Sequence, residues 1–187
     1  MPQTFWEWMF LMQHYGVPTR LLDWTTSAII ALTFATLFRD DNSNKGKHYG
    51  KPVNVWCINP LELNKNARIK ETSKIPNIIS DEQLQSIYKT NQEVAQYPVA
   101  ISGPLNNSRI VAQKGVFTLF PYSSSDTTPK LEDYDNADNF LKCILIESQD
   151  EINSIKGELS LLGMSETTLF PDLSHLALEL KRELSKR

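Results

Sequence analysis

Between Phe5 and Met12 the chain places Phe5, Trp6, Trp8, Met9, Phe10, Leu11 and Met12 around a single acid, Glu7, leaving almost no polar face. Thr4 stands in front as a capping hydroxyl, so the pattern predicts a helix from Phe5 through Tyr15 that is buried nearly all round. Gly16 and Pro18 stop it, and Thr19 to Trp24 should run extended. Thr25, Thr26 or Ser27 can then cap a second helix over residues 28–38, where Ala28, Ala31, Leu32 and Ala35 form a stripe beside Ile30, Phe34, Leu37 and Phe38. Small side chains on that stripe let a helix approach a sheet closely.

The period then changes. Asp40 to Lys51 is a polar loop, and Pro52 to Ile58 reads as a strand ending at the turn pair Asn59-Pro60. Residues 64–79 are irregular, while Asp81 to Thr90 suits a helix with Ser80 as its cap. Val99 to Ile101 and Arg109 to Phe120 read as extended, the latter interrupted at Lys114-Gly115 by a bulge or tight bend, and Ser123 to Asp138 as a loop. Phe140 to Glu147 reads as the clearest buried strand. Ile152, Ile155, Leu159 and Leu162 mark the apolar face of a helix over 151–162 that Gly163 ends, and a last helix runs from Ser174 to Leu184. Between them Leu169-Phe170-Pro171-Asp172-Leu173 forms an apolar plug, and Lys181, Arg182, Lys186 and Arg187 complement the C-terminal helix dipole.

Apolar strands separated by loops too short or too polar for regular βαβ crossovers predict an α+β fold. Val53 to Ile58, Arg109 to Phe120 and Phe140 to Ile146 are expected in one mostly antiparallel sheet, packed against the helices of residues 5–15 and 28–38. A length of 187 residues with 41% hydrophobic and 22% charged content suits a single folded domain. Nineteen Lys and Arg against 22 Asp and Glu give a net charge of -3, so no global basic field points to nucleic acid or an anionic membrane. No run approaches the ~18 apolar residues of a membrane span, and the first residues lack a leader pattern, so a cytoplasmic setting is expected. Cys57 and Cys143 lie in apolar strands and are expected as buried free thiols. Neither has a partner at metal-ligand spacing, and His14, His48 and His175 are scattered, so no metal is implied.

Chemistry concentrates in residues 13–27, where Gln13, His14, Tyr15, Arg20, Asp23, Trp24, Thr25, Thr26 and Ser27 surround a helix-stop-helix connection. The same residues also admit a structural role, with Arg20 and Asp23 as an ion pair, Trp24 in the core and the hydroxyls as caps. Gln113 stands before Lys114-Gly115, where a distorted strand or a hairpin would expose its amide. No phosphate-binding glycine loop and no Gly-x-Ser-x-Gly elbow is present, which removes the standard kinase, dinucleotide-fold and hydrolase readings.

The run Gln13-His14-Tyr15-Gly16-Val17-Pro18-Thr19-Arg20-Leu21-Leu22-Asp23-Trp24-Thr25 resembles the FRG domain family. Ala31-Leu32, Phe34-Ala35, Gln113-Lys114-Gly115-Val116-Phe117 and Leu169-Phe170-Pro171-Asp172-Leu173 extend that resemblance along the chain. The family's aromatic-Arg-Gly element is not found before Gln13, so the chain is expected to be an N-terminally shortened member. The resemblance implies a bacterial or phage-borne domain of uncharacterised activity, associated with defence or toxin-like systems.

A second, fold-level resemblance is to ADP-ribosyltransferases, with Thr25-Thr26-Ser27, Ala31 and Phe34 as the turn-and-helix element and Gln113 as the late-strand residue. It implies NAD as substrate, with Thr26, Gln113 and His14 as candidate catalytic residues. Gln13, Tyr15, Arg20, Asp23, Trp24, Thr25 and Ser27 would bind substrate. Gln113 cannot act as a general base, but it can position a nucleophile. His14, Arg20, Asp23, Thr26 and Gln113 are expected around one cleft, and a second copy or a partner chain is expected to complete the N-terminal edge. The alternative is a non-catalytic binding module, or an inactive remnant of a longer FRG protein.

Overall fold

The computed structural model describes residues 2–39, 46–69, 73–89, 95–105, 107–123 and 129–184. In chain order the elements are α1 (Phe5–His14), β1 (Leu21–Thr25), α2 (Ala28–Leu37), β2 (Val53–Ile58), α3 (Pro60–Asn66), α4 (Glu82–Ile87), β3 (Val99–Ile101), α5 (Ser108–Ala112) and β4 (Gly115–Leu119). A 3₁₀ turn (Leu131–Asp133), α6 (Ala137–Phe140), β5 (Leu141–Ile146), α7 (Gln149–Leu161), α8 (Glu166–Leu169) and α9 (Leu173–Leu184) follow. The fold class is α+β. The strands form two sheets, a three-stranded one in the order β1-β4-β3 and the two-stranded β2-β5, so the single sheet expected from the sequence is replaced by two. Part of the reason lies at residues 108–112. Asn107 accepts the Arg109 N–H at 2.9 Å and starts a short helix where an extended segment was expected, shortening that strand to Gly115–Leu119.

The chain divides into two compact units, one of residues 1–24, 57–106 and 115–142, the other of residues 25–56, 107–114 and 143–187. In the first unit Thr4 caps α1 through a reciprocal box: its hydroxyl accepts the Glu7 N–H, and the Glu7 carboxylate accepts the N–H groups of Gln3 and Thr4. Those backbone bonds, Gln3's first, hold the Glu7 carboxyl below its ordinary range. The helix is not buried all round. Trp6, Met9 and Phe10 form the packed stripe, while Phe5, Trp8, Met12 and Tyr15 lie 39–75% exposed. Packing accepts one face of a helix, and the other aromatic positions fall outside it. Phe10 sets its ring edge-on to Phe117 at 4.9 Å and fills the space over Gly103, where an added Cβ would come within 2.6 Å of the ring.

Strand β3 pairs antiparallel with β4, Val99 opposite Leu119, Ala100 opposite Thr118 and Ile101 opposite Phe117. A second set of partners serves its remaining backbone groups. The buried Asn64 side chain accepts the Ala100 N–H at 2.7 Å and donates to the Ala100 carbonyl at 3.0 Å, reproducing a strand's pair of bonds from one amide. Ser102 continues the pattern, donating to the Pro76 carbonyl at 2.9 Å and accepting from Ile78 at 3.3 Å. Asn64 sits on α3, which the sequence reading left irregular. Asn59 caps that helix and Pro60 opens it, so the Asn-Pro pair marks a helix start as well as a turn. Leu63, Ala100, Phe120, Leu131, Phe140 and Leu141 make one core cluster of this unit, with Trp24, Ile58 and Tyr134 packed against it.

In the second unit Val53, Val55, Ile146 and Ile152 form the core, against which Ala31, Leu32, Ala35 and Ile155 pack. The alanine stripe of α2 thus lies where the sequence pattern put it. Thr33 and Thr36 on the same helix are fully buried and return their hydroxyls to the carbonyls of Ile29 and Leu32, both at 2.7 Å. Two expectations fail at the surface. Cys57 and Cys143 are free but exposed, and Lys142, Cys143, Ile144 and Leu145 of β5 are all exposed, so that strand is not a buried one. Only its first and last residues reach a core.

Two outcomes follow from these contacts. Asn64→Leu leaves the buried N–H and carbonyl of Ala100 without their partners, and should cost about 2–4 kcal/mol in a denaturant titration. Tyr88, 2% exposed, donates its hydroxyl to the Tyr97 carbonyl at 2.6 Å, and burial pushes its pKa well above the ordinary value. Because the native state keeps that proton while an unfolded tyrosine releases it near pH ~10, the contribution is complete below that pH and is lost as pH rises through the elevated native value. Tyr88→Phe should start about 1 kcal/mol less stable at neutral pH and lose less stability than the native chain above pH ~10, as read by urea titrations across that range.

Candidate functional site

The signature residues of the first unit satisfy one another and the backbone. Gln13, at the end of α1, donates its amide to Asp23 at 2.9 Å and more weakly to the Leu21 carbonyl at 3.4 Å, while its oxygen accepts the Thr19 hydroxyl at 2.5 Å. Thr19 in turn accepts the Leu21 N–H at 3.1 Å. Gly16, with φ at +74°, takes the left-handed conformation that releases the chain from α1 into this turn.

Arg20 reaches across the same unit with both terminal nitrogens, to the Phe120 carbonyl at 3.0 Å and the Tyr88 carbonyl at 2.9 Å. The Phe120 N–H returns to the Arg20 carbonyl at 2.9 Å, so the guanidinium extends the β1-β4 pairing beyond its last backbone rung. Asp23 receives the Gln13 amide, and the Arg20–Asp23 ion pair considered from the sequence is replaced by these bonds. Desolvation lowers the guanidinium's pKa, with Tyr122 and Tyr88 acting the other way. It stays charged regardless, because an arginine's ordinary value is so high. His14 sets its ring edge-on to the exposed Tyr15 at 5.0 Å. Trp24 packs on the core, its indole nitrogen buried without a hydrogen-bond partner among the described residues.

In the second unit the structure brings Thr25, Thr26 and Ser27 together with Gln113 and Lys114, 88 positions away. The Thr25 hydroxyl donates to the Gln113 carbonyl at 2.8 Å and accepts the Ser27 N–H at 3.1 Å, while the Thr26 N–H donates to the Lys114 carbonyl at 3.1 Å. Lys114 takes the left-handed conformation, with φ at +48°, at the junction of α5 and β4. The bend therefore falls on the lysine. Ser27 is the N-cap of α2 but makes no side-chain capping bond, which leaves the first-turn N–H groups without a side-chain acceptor beside an exposed Thr26 and an exposed Lys114. An anion is the natural complement of such an end.

Gln113 caps the end of α5 and donates its amide to the Leu169 carbonyl at 3.1 Å. One residue on, Phe170 carries the Arg109 guanidinium 4.6 Å from its centroid, stacks on His175 at 4.6 Å and meets Phe34 and Phe38 edge-on. Asp172 orients that imidazole through Nδ1 at 2.7 Å. The sequence reading singled out Leu169 to Leu173 only as an apolar plug. The cation on α5 and the His175–Asp172 pair at the start of α9 come from separate elements, and the Asp-x-x-His spacing at 172–175 was the one local signal for part of the group. Among the described residues no group of three or more His, Cys, Asp or Glu is arranged to hold a metal ion.

The fold and these contacts define an α+β protein whose polar signature runs knit short elements together. Residues 1–45 match the FRG domain model, a span that includes the whole run from Gln13 to Thr25. Comparison with curated proteins and with solved structures returned no match. No helix among the described residues is long and apolar enough to cross a membrane.

Because Arg20 holds two carbonyls with one planar fork, Arg20→Lys should keep the charge and lose one of the two bonds. Thermal or urea unfolding should register a loss of about 1–2 kcal/mol.

Proposed function

We propose that the turn Thr25-Thr26-Ser27, the N-terminus of α2 and the Gln113-Lys114 corner form a nucleotide-binding platform, in a domain that processes NAD or a related nucleotide in the manner of ADP-ribosyl transfer. The observation that carries the reading is the Thr25 hydroxyl on the Gln113 carbonyl at 2.8 Å, which holds the two candidate segments side by side at an uncapped helix start. On this reading the first-turn N–H groups of α2 and the Lys114 ammonium receive phosphate oxygens. Thr26 contacts the ribose. The Gln113 amide, held through its nitrogen by the Leu169 carbonyl, keeps its oxygen to accept a hydrogen bond from a substrate hydroxyl. It orients and does not abstract. A role in a defence or toxin-like system is the setting that the family resemblance suggests.

A non-catalytic binding module is the second reading, and one observation favours it. Gln13, Arg20 and Gln113 each give donors to groups of the chain itself, as scaffold residues do.

Thermal shift with NAD, ADP-ribose and AMP separates the two. Saturation at 100 times the dissociation constant adds about 2.7 kcal/mol of stability. The nucleotide reading expects a rise in melting temperature with NAD and ADP-ribose that Lys114→Glu abolishes, because the substitution sets an acid beside the phosphate position. No shift with any of the three, or an equal shift in the variant, removes this platform as the nucleotide site.

A further inference from the structure

We infer that Trp24 and Thr118 bind one water molecule between them, on the sheet face that lines the core cluster of the first unit. The starting point is a pair of buried polar atoms. The indole Nε1 of Trp24 and the hydroxyl Oγ1 of Thr118 have no hydrogen-bond partner among the described residues, and Thr118 is 1% exposed. Buried polar groups nearly always bond to the protein or to ordered water, so each of the two requires a partner.

Sheet register brings the two atoms to one place. Strand β4 lies between β1 and β3. The Phe120 N–H donates to the Arg20 carbonyl and the Thr26 N–H to the Lys114 carbonyl, so both ends of the β1-β4 pairing give the same antiparallel register. It sets Leu22 opposite Thr118 and Trp24 opposite Val116. Directly opposite residues share a face and side chains alternate along a strand, which makes Trp24 and Thr118 diagonal neighbours on one face. Ala100 of β3 stands opposite Thr118 on that face. Ala100 and Phe120 belong to the cluster against which Trp24 packs, so the indole lies on the dry side of the sheet with the Thr118 hydroxyl.

Distance and chemistry select the occupant. Diagonal neighbours stand roughly 7–8 Å apart, within reach of an aromatic side chain and wide enough for a small molecule between the polar ends. The backbone beside them offers little, because Asn64 already takes both polar groups of Ala100. A charged occupant would need a compensating ion, which a cluster of Leu, Ala and Phe side chains does not supply. Water needs none. Its oxygen accepts the indole N–H and it exchanges a second bond with the hydroxyl, the low end of the two to four that buried waters make. The site gives the tryptophan of the signature run a task that a phenylalanine could not perform, since it depends on the N–H. The inference is independent of the nucleotide reading, because neither residue belongs to the platform at α2.

Thr118→Val tests it through the sign of its effect. Valine is close to threonine in shape and removes only the hydroxyl. If Oγ1 bridges through water to the indole, the substitution strands the Trp24 N–H, and the melting temperature of the intact chain should fall by about 2–4 °C or more. If Oγ1 is simply unpaired, valine relieves a desolvation cost and the melting temperature rises, which overturns the inference. A double-mutant cycle separates the bridge from the packing lost in Trp24→Phe. In that background Thr118→Val should no longer lower the melting temperature, and a fall as large as in the native chain overturns the inference as well. A high-resolution crystal structure of the native chain supplies a readout that needs no variant. A water oxygen should lie about 2.7–3.2 Å from both Nε1 and Oγ1. The indole bonded directly to the hydroxyl, a backbone carbonyl on either atom, or no ordered water between them would each refute the site.

Discussion

Short strands leave many backbone donors and acceptors without rungs, and the placement of planar side chains that complete them is the constraint on which this structure rests. Strand β3 is three residues long and buried throughout, so its polar groups have no water to fall back on. Asn64 serves Ala100 as a further strand would, and Pro76 to Ile78 do the same for Ser102. At the other end of the sheet Arg20 adds a guanidinium rung between Phe120 and Tyr88. Each bond contributes modestly where water can compete and much more where it cannot, which ranks the buried Asn64 above the half-exposed Arg20 as a determinant of stability.

That constraint bears on function. Residues that look chemically active in a linear signature are, in large part, those able to bridge backbone groups: an amide, a guanidinium, a threonine hydroxyl. Gln13, Thr19, Arg20, Thr25 and Gln113 all do so. Such a scaffold also pre-organises what it leaves uncommitted. The N-cap of α2, Ser27, makes no side-chain capping bond, while the Thr25 hydroxyl is held by Gln113 and Ser27 and the Thr26 N–H by Lys114. The polar group best placed to meet an external anion is thus backbone held in position by the signature, with Lys114 as the adjacent charge. Burial and exposure divide along similar lines, for the aromatic residues of α1 exceed what one packed face can take, and β5 likewise carries more apolar side chains than the core receives.

Local chemistry made much of the fold legible in advance. The cap of α1 at Thr4, its stop at Gly16, the alanine stripe of α2, the strand at Val53 to Ile58 and the capped helix before Gly163 depend on interactions within a few residues, and each stands close to its predicted place. The α+β class followed from the same alternation of periods. The resemblance to the FRG family likewise came from one contiguous run within the matched residues 1–45, because a signature needs no knowledge of what lies across the molecule.

Tertiary structure alone decided what depends on distant partners. A period-two pattern shows that a residue suits a strand, but not which sheet receives it or whether anything covers it. Two sheets formed in place of one, and Cys143, Ile144 and Leu145 came to the surface. Composition at 109–117 was compatible with a strand, and only the Asn107 cap and the left-handed Lys114 show a helix, a corner and then β4. The candidate platform was half visible: the hydroxyl turn at 25–27 could be read directly. The Gln113-Lys114 corner beside it depends on a hydrogen bond between residues 88 positions apart, which no local pattern encodes.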